Sequence, residues 1–256
     1  MKNKLYVLFS VAIAFSSCNK SFLDVPPLGQ GIASVDPTVA LAEVTGAYNA
    51  LITPDPTQSG FGQYDIHGVY FITVTNIMSD DADKGSYASD QPPASDIDNF
   101  NTNSNNTYVE GLWKGYYAGI SRTNVAIGSL SQAVSSLGTA TITEQTAEMR
   151  FLRAYFYFNL VRMFGGVPIV LTVPTGPLNQ DSSFYYRASV SDVYNKAIIP
   201  DLQFAITNLP IKAKARAVGT ATQGAAQALL AKVYMYLAST NNNNTWFIFF
   251  SSKWTC

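Results

Sequence analysis

Apolar residues recur along this 256-residue chain in several rhythms, and each rhythm predicts a different element. The opening one is unbroken: after Met1-Lys2-Asn3-Lys4, the run LYVLFSVAIAF (Leu5–Phe15) has no polar face. As a helix it reaches only about 16 Å, roughly half of a hydrocarbon core. A cationic start, a short apolar middle and small residues at Ser16-Ser17 describe an export signal rather than a membrane span. From Asn19 to about Asp36, NKSFLDVPPLGQGIASVD has no period and is rich in turn formers, which reads as a tether. Asp36-Pro37 then reads as an N-cap with proline at the first helical position. Leu41, Val44, Tyr48 and Leu51 follow at helical spacing until Pro54 and Pro56.

Beyond that point the rhythm changes twice. GVYFITVTNIM (Gly68–Met78) is β-branched and aromatic, and strand and buried helix fit it equally. Residues 79–107 are polar with almost no aliphatic content, predicting a long loop of the kind that either binds or is disordered. Four helical patterns come next. The first places Val109, Leu112, Trp113, Tyr116, Tyr117, Ile120 and Ile127 on one face. The second, TEQTAEMRFLRAYFYFNLVRMFGG, is apolar nearly all round, should end in a left-handed cap at Gly165-Gly166, and is followed by a short extended IVLTV. The third, capped by Ser189 or Ser191, aligns Val190, Val193, Tyr194, Ile198, Leu202, Ala205, Ile206 and Leu209. Pro200 within it should remove a ladder bond and cause a kink or a restart. The fourth, TQGAAQALLAKVYMYLAS, should pack through Ala225, Ala228 and Ala231 and present Leu229, Val233 and Tyr236. Paired helices with small residues at the crossings predict an all-α, tetratricopeptide-like helical-repeat scaffold carrying long binding loops. Ala154 and Phe158 echo the second helix of such a repeat, and a plain irregular bundle is the alternative. The tail NNNNTWFIFFSSKWTC fits neither; residues 241–256 read as aberrant, from a frameshift, a premature stop or a gene fragment, with the C-terminal half of the domain missing.

The domain expectation is therefore a lipoprotein signal peptide at 1–17, a flexible tether at 18–36, a helical domain at 37–240 and the irregular tail at 241–256. Cys18 stands at the seam between the first two. With Cys256 the only other cysteine, a disulfide has a single partner at the far end of the chain. A thiol placed where an export signal is cut matches lipoprotein processing, in which the cysteine is acylated and becomes the new N-terminus. Phe15 and Ser17 depart from the commonest flanking residues, Leu three positions before and Gly or Ala one before. Several acyl chains would tether the protein stably, where one would not. An incidental cysteine behind an ordinary signal is the other reading.

Composition excludes more than it identifies. A net charge of −1 with 13% charged residues gives no electrostatic case for nucleic acid. One histidine, His67, and no paired cysteines leave little for a zinc site or a His-activated nucleophile, and no cofactor is expected. Asp80, Asp81 and Asp83 invite calcium, but the spacing through Gly85 and Ser86 does not follow an EF-hand. Glu110, Glu144 and Glu148 sit at predicted helix starts, where negative charge favours the macrodipole, so they make a poor pair for glycoside hydrolysis. Arg150, Arg153 and Arg162 could grip an anion, though paired or snorkelling structural roles are commoner for such spacing. Trp113 has the period of a core residue. Aromatics, in contrast, are abundant at 13%.

Six blocks together are similar to the SusD/RagB family. SCNKSFLDVPP looks like that family's lipidated start, VTGAYNAL (Val44–Leu51) its first helix, and LWKGYYAGISRTNVAI (Leu112–Ile127) its Trp-Tyr-Ile-x-Arg-x-Asn helix. AEMRFLRAYFYFNLVRMFGGVPIV (Ala147–Val170) is the most specific block, and VYNKAIIPDLQFAITNLP with AAQALLAKVYMYLA supports it. The resemblance runs from about 18 to 239, without the family's C-terminal region, and Pro200 sits where the family's helix usually runs on. It implies a surface-exposed, lipid-anchored outer-membrane protein, tethered to lipid through acylated Cys18. Such a protein is not an enzyme; it captures oligosaccharides, or peptides in one branch, and passes them to a SusC-like TonB-dependent transporter. A surface peptide-binding or protein-interaction scaffold is the alternative, and a glycoside hydrolase a more distant one. Sugar capture needs exposed rings and amide or carboxylate hydrogen-bonders. The expected ligand face is Tyr64, Tyr87, Asp90, Phe100 and Asn101, with His67, Asp98 and Asn103 nearby. A solvated loop pinned by its aromatics would contain the same residues.

Overall fold

A computed structural model describes residues 36–52, 66–87, 89–173, 185–214 and 216–242, all within one compact unit, Gly31–Cys256. Cys18 and Tyr64, with the signal, the tether and residues 243–256, lie outside the described residues. Among the described residues every regular element is helical. Helix α1 spans Pro37–Asn49, α2 Val69–Ile72, α3 Pro92–Asp98, α4 Thr107–Gln132 and α5 Val134–Leu137. Helix α6 spans Thr139–Phe164, α7 Val190–Asp192, α8 Ile199–Asn208 and α9 Gln223–Asn242. The ambiguous Gly68–Met78 segment is helical: α2 continues into a π-helical turn, Thr73–Ile77.

The long helices pack in succession, α1 on α4, α4 on α6, α6 on α8 and α8 on α9, as in a tetratricopeptide-like stack. Helix α6 is central, and its predicted lack of a polar face is matched by burial almost all round, from Ile142 to Phe164. The α4–α6 crossing is close because Gly119 has no side chain: a β-carbon there would sit 2.7 Å from the Phe156 ring. Tyr116, Phe156, Phe158, Tyr157 and Tyr194 are fully buried around it. Asp36 caps α1 as expected, accepting from the Thr38 N–H at 2.8 Å. Of the predicted α1 face, Val44 is buried and Tyr48 and Leu51 pack against the core, but Leu41 is exposed and Ala40 and Ala47 are buried in addition.

Two breaks take forms the pattern does not reveal. Gly165 ends α6 at φ 71°, ψ −134°, a positive-φ stop but not the left-handed cap expected. Gly166 is needed for a different reason, since a β-carbon would lie 2.1 Å from the Ala188 carbonyl oxygen. At Pro200 the helix neither kinks into two nor restarts after a gap. A π-helical turn, Val193–Ile198, runs directly into α8, and Pro200 occupies that helix's first turn, where its missing N–H costs least. Ser189 is the cap, accepting from Asp192 N–H at 3.0 Å.

The extended piece 167–171 forms no strand; side chains hold it instead. Tyr117 donates to Pro168 O at 2.8 Å, Asn124 to Val170 O at 2.9 Å and Arg153 to Leu171 O at 2.7 Å. Tyr157 Oη both accepts from Val170 N–H and donates to its carbonyl. Helix α9 meets its expectation in part. Leu229, Val233 and Tyr236 pack inward as expected, Tyr236 edge-on against Phe158, and Ala226 is buried with them, but Ala228 and Ala231 are exposed.

Candidate functional site

The polar stretch 79–107 is not one loop but a loop built around α3. Pro92 and Pro93 open this seven-residue helix, and its two apolar positions, Ala94 and Ile97, are its buried ones. Both ends turn through backbone that ordinary residues seldom adopt: Gln91 has φ 44° and Phe100 φ 54°. Each such residue costs on the order of 1–2 kcal/mol, so the surrounding bonds must hold it. At the first end the Tyr108 hydroxyl donates to Gln91 Oε1, and Tyr108 stacks edge-on against Tyr70 with ring centres 4.8 Å apart. Burial, then the nearby Asp90 charge, raises the Tyr108 pKa and keeps that hydroxyl a donor. Asn106, itself buried, donates from Nδ2 to Pro93 O at 2.8 Å while its Oδ1 caps α4 at Tyr108 N–H. Lys84 Nζ donates to Tyr87 O at 2.9 Å and to Ser86 Oγ at 3.0 Å.

The predicted ligand residues occupy the two ends of this frame. Tyr87 is 78% exposed, and its carbonyl accepts from Asp90 N–H at 3.0 Å, which places those two side by side. Phe100 is 54% exposed, and Asn101 beside it is exposed and held by Asn101 N–H to Asp96 O at 2.8 Å. Seven residues of helix separate the pairs, about 10 Å at ~1.5 Å per residue. Two aromatic rings with amide and carboxylate groups are thus presented on pinned, irregular backbone. Such a surface can stack on apolar ligand faces and accept or donate hydrogen bonds, but it holds no nucleophile activated by a base.

The remaining candidates have structural roles. Arg153 is buried and forms a bidentate pair with buried Asp201, Nε–Oδ2 2.7 Å and Nη2–Oδ1 2.9 Å, while Nη1 donates to Asn124 Oδ1. Arg150 lies over the Phe204 ring at 4.2 Å with Asp201 at 3.7 Å. Glu148 does not sit at the helix start that was expected but in the third turn of α6, and it is buried. It accepts from Tyr48 Oη at 2.7 Å and from Arg216 Nη2 at 3.2 Å, fastening the 209–222 connection to α1 and α6. That burial and the Glu148 charge push the Tyr48 pKa up. Trp113 packs edge-on against Phe164 at 5.1 Å, as a core residue would. Asp80, Asp81 and Asp83 are exposed, and no metal-holding group occurs among the described residues. His67 lies 5.5 Å from Tyr155, ring to ring. Sequence reasoning missed Gln91, Asn106 and Tyr108, which hold the loop, and exposed Tyr185 and Tyr186. Two adjacent tyrosines outside any helical period were the available signal for the latter.

A stack of paired helices with a braced aromatic loop defines a binding scaffold, and comparison with known proteins specifies which. A family model described as "SusD-like_3: Starch-binding associating with outer membrane" matches residues 62–235. The chain belongs to this SusD-like family, a carbohydrate-binding family rather than one of enzymes. A SusD-like protein of Bacteroides ovatus is 29% identical over 252 residues, 96% of this chain and 41% of that protein. A laminarin-binding SusD-like protein of solved structure is 29% identical with a TM-score of 0.61, over 80% of this chain and 41% of its own. Surface glycan-binding protein A from Bacteroides thetaiotaomicron, solved with laminarihexaose, has a TM-score of 0.63 at 24% identity, over 83% and 42% of the two chains. That last likeness is one of fold. The chain thus spans about two-fifths of the length of these relatives. Among the described residues no helix is long and apolar enough to cross a membrane.

Proposed function

We propose that this chain is part of a surface nutrient-binding lipoprotein that captures oligosaccharides at the α3 loop. The observation that carries the reading is the exposure of Tyr87 and Phe100 on backbone held rigid from both sides, since a ring left in water on a fixed base loses little entropy when a sugar stacks on it. Asp90 and Asn101 supply the hydrogen bonds that orient hydroxyl groups. The family's starch-binding description and the laminarin-binding relative support a glucan as the ligand class. Tyr64 belongs to the same face in this reading. Captured glycan passes to a SusC-like TonB-dependent transporter, with the protein held at the outer-membrane surface by acyl chains on Cys18. Titrating the purified protein with laminari- and malto-oligosaccharides tests the capture. Saturable binding without new reducing ends supports it, while turnover or indifference to both series refutes it. For the anchor, Cys18→Ala should move the protein from the membrane to the soluble fraction; unchanged fractionation removes that part of the proposal.

A further inference from the structure

We propose that the α3 loop selects uncharged glycans and turns away those bearing carboxylate or sulfate groups, because the aspartates gathered around Lys84 outnumber it. The inference rests on the capture reading above and adds to it the charge class of the ligand. Charge is spread unevenly along the chain. Between Lys20 and Lys114 stand twelve of its 17 acidic residues, and Lys84 is the only lysine or arginine among them. Residues 79–107 alone hold Asp80, Asp81, Asp83, Asp90, Asp96 and Asp98, a formal charge of −5 with Lys84 counted. Folding draws these groups together. Lys84 N–H donates to Asp98 Oδ2 at 3.4 Å, which brings Asp83, its neighbour in sequence, to the end of α3 that carries Asp98. Asp90 N–H donates to Tyr87 O at 3.0 Å, and the same carbonyl receives Lys84 Nζ at 2.9 Å. Each exposed ring therefore has an aspartate within three residues, Asp90 after Tyr87 and Asp98 before Phe100. The one ammonium is occupied by Tyr87 O and Ser86 Oγ, and among the described residues it forms no ion pair.

The elements packed against α3 do not cancel this charge. The π-helical turn Thr73–Ile77 has no charged residue, and the first turns of α4 offer Glu110 and Lys114, which pair with each other. The arginines of α6 are engaged elsewhere. Arg150 and Arg153 meet Asp201, and Arg162 is stacked on Phe158 and Tyr236, on the side that faces α9. Trp113 meets Phe164 and Asn124 meets Arg153, so α4 and α6 run antiparallel, and Arg216, held at Glu148, lies roughly 30 Å from the loop at ~1.5 Å per residue of α4. The aspartates act here on the charge of a ligand that the rings hold. A carboxylate accepts hydrogen bonds and cannot donate them, so a sugar hydroxyl suits it. A glycan carboxylate or sulfate brings further acceptors and a like charge, which is how a site rejects one ligand while keeping its uncharged counterpart. Screening sets the reach of that repulsion, about 8 Å at physiological salt and about 30 Å at 10 mM, so the exclusion deepens as salt is removed.

The test is calorimetric titration of the full chain in chelator-treated buffer with laminarihexaose and maltohexaose, each in three forms: unmodified, oxidised to the carboxylate at C6, and converted there to the uncharged carboxamide. In low salt the carboxylate form should bind about tenfold more weakly than the carboxamide, and about 0.5 M sodium chloride should close most of that gap while the uncharged forms change by less than about twofold. Carboxylate and carboxamide binding equally in low salt overturns the inference and leaves the capture reading standing. Equal weakness of both against the unmodified sugar also overturns it, since the rejection is then one of shape. Failure of both unmodified sugars to bind removes the capture reading itself, and this inference with it. A triple variant, Asp80→Asn with Asp81→Asn and Asp83→Asn, changes exposed side chains outside the ring-bearing ends. It should tighten the carboxylate form about threefold in low salt and leave the unmodified sugar unchanged, whereas Glu144→Gln, at the far end of α4 and α6, should alter neither. An undiminished gap in the triple variant, or one narrowed equally by Glu144→Gln, overturns the assignment to this loop. The salt titration needs no variant, so the inference stays open to refutation should the triple variant fail to fold.

Discussion

The Arg153 and Arg162 sites lie on the same helix and differ in completeness. Arg153 is enclosed by Asp201, Asn124 and the Leu171 carbonyl, so four of its bonds bind α4, α6, α8 and the extended 167–171 piece into one block. Arg162 is stacked between Phe158 and Tyr236 and meets no acid among the described residues. The first arrangement is enclosed and ties four segments together; the second lies at the edge of the core, held by rings and open in part to solvent. The α3 loop makes the same contrast at the surface, where the backbone is fully braced and the side chains that matter are left in water. Rigidity in this protein is supplied by buried polar groups, and function is expected where burial stays open.

The sharpest way to break the comparison is to remove one partner of the enclosed site. Arg153→Ala should lower unfolding free energy by about 3–5 kcal/mol in urea titrations, because Asp201 is left charged and buried. Arg162→Gln should cost clearly less in the same experiment, and an equal loss would erase the distinction. Gly166→Ala comes next. A methyl group forced against the Ala188 carbonyl should cost about 1–3 kcal/mol and shift the loop carrying Tyr185 and Tyr186, readable by urea melts and by proteolysis there. The buried tyrosines give a pH test. Burial raises the pKa of Tyr48, Tyr116 and Tyr117 above the ordinary value of 10.0. The folded state therefore keeps protons that the unfolded chain releases. Their contribution is complete below pH 10 and is lost as the pH rises above it, at up to about 1.4 kcal/mol per pH unit for each group. Stability flat from pH 10 to 11 would contradict that burial. The smallest stability effect belongs to the loop. Tyr87→Ala with Phe100→Ala should change stability by no more than about 0.5 kcal/mol yet remove stacking worth about 0.5–1.5 kcal/mol per ring, measured as glucan affinity. Lower melting with unchanged affinity would make both rings structural.

Much of the helical stack was legible because burial on one side of a long helix leaves a 3.6-residue period. Helix α4 and the all-round burial of α6 follow from it directly. Helix α3 was hidden because seven residues with only Ala94 and Ile97 turned inward carry too little periodic signal. On α9 the crossing alanines were misassigned because an alanine-rich helix has apolar residues on every side, and only the position of α8 decides which of them are covered. Glu148 was unreadable for another reason: its partners Tyr48 and Arg216 are 100 and 68 residues away, and nothing local marks a carboxylate as buried. At the candidate site, the exposed rings could be named from composition and position, but their bracing by Asn106 and Tyr108 depends on contacts that only folding brings together.

The wide turn ahead of Pro200 has a consequence for every residue downstream. Val193, Ala197, Asp201, Ala205 and Leu209 repeat every fourth position and are all buried, although a tighter coil would rotate a four-residue repeat steadily away from its neighbour. The loosened segment absorbs part of that drift, and it is what lets Asp201 arrive facing Arg153. Deleting a single residue between 193 and 198 would leave the composition of the segment nearly intact while swinging that carboxylate out of the interior.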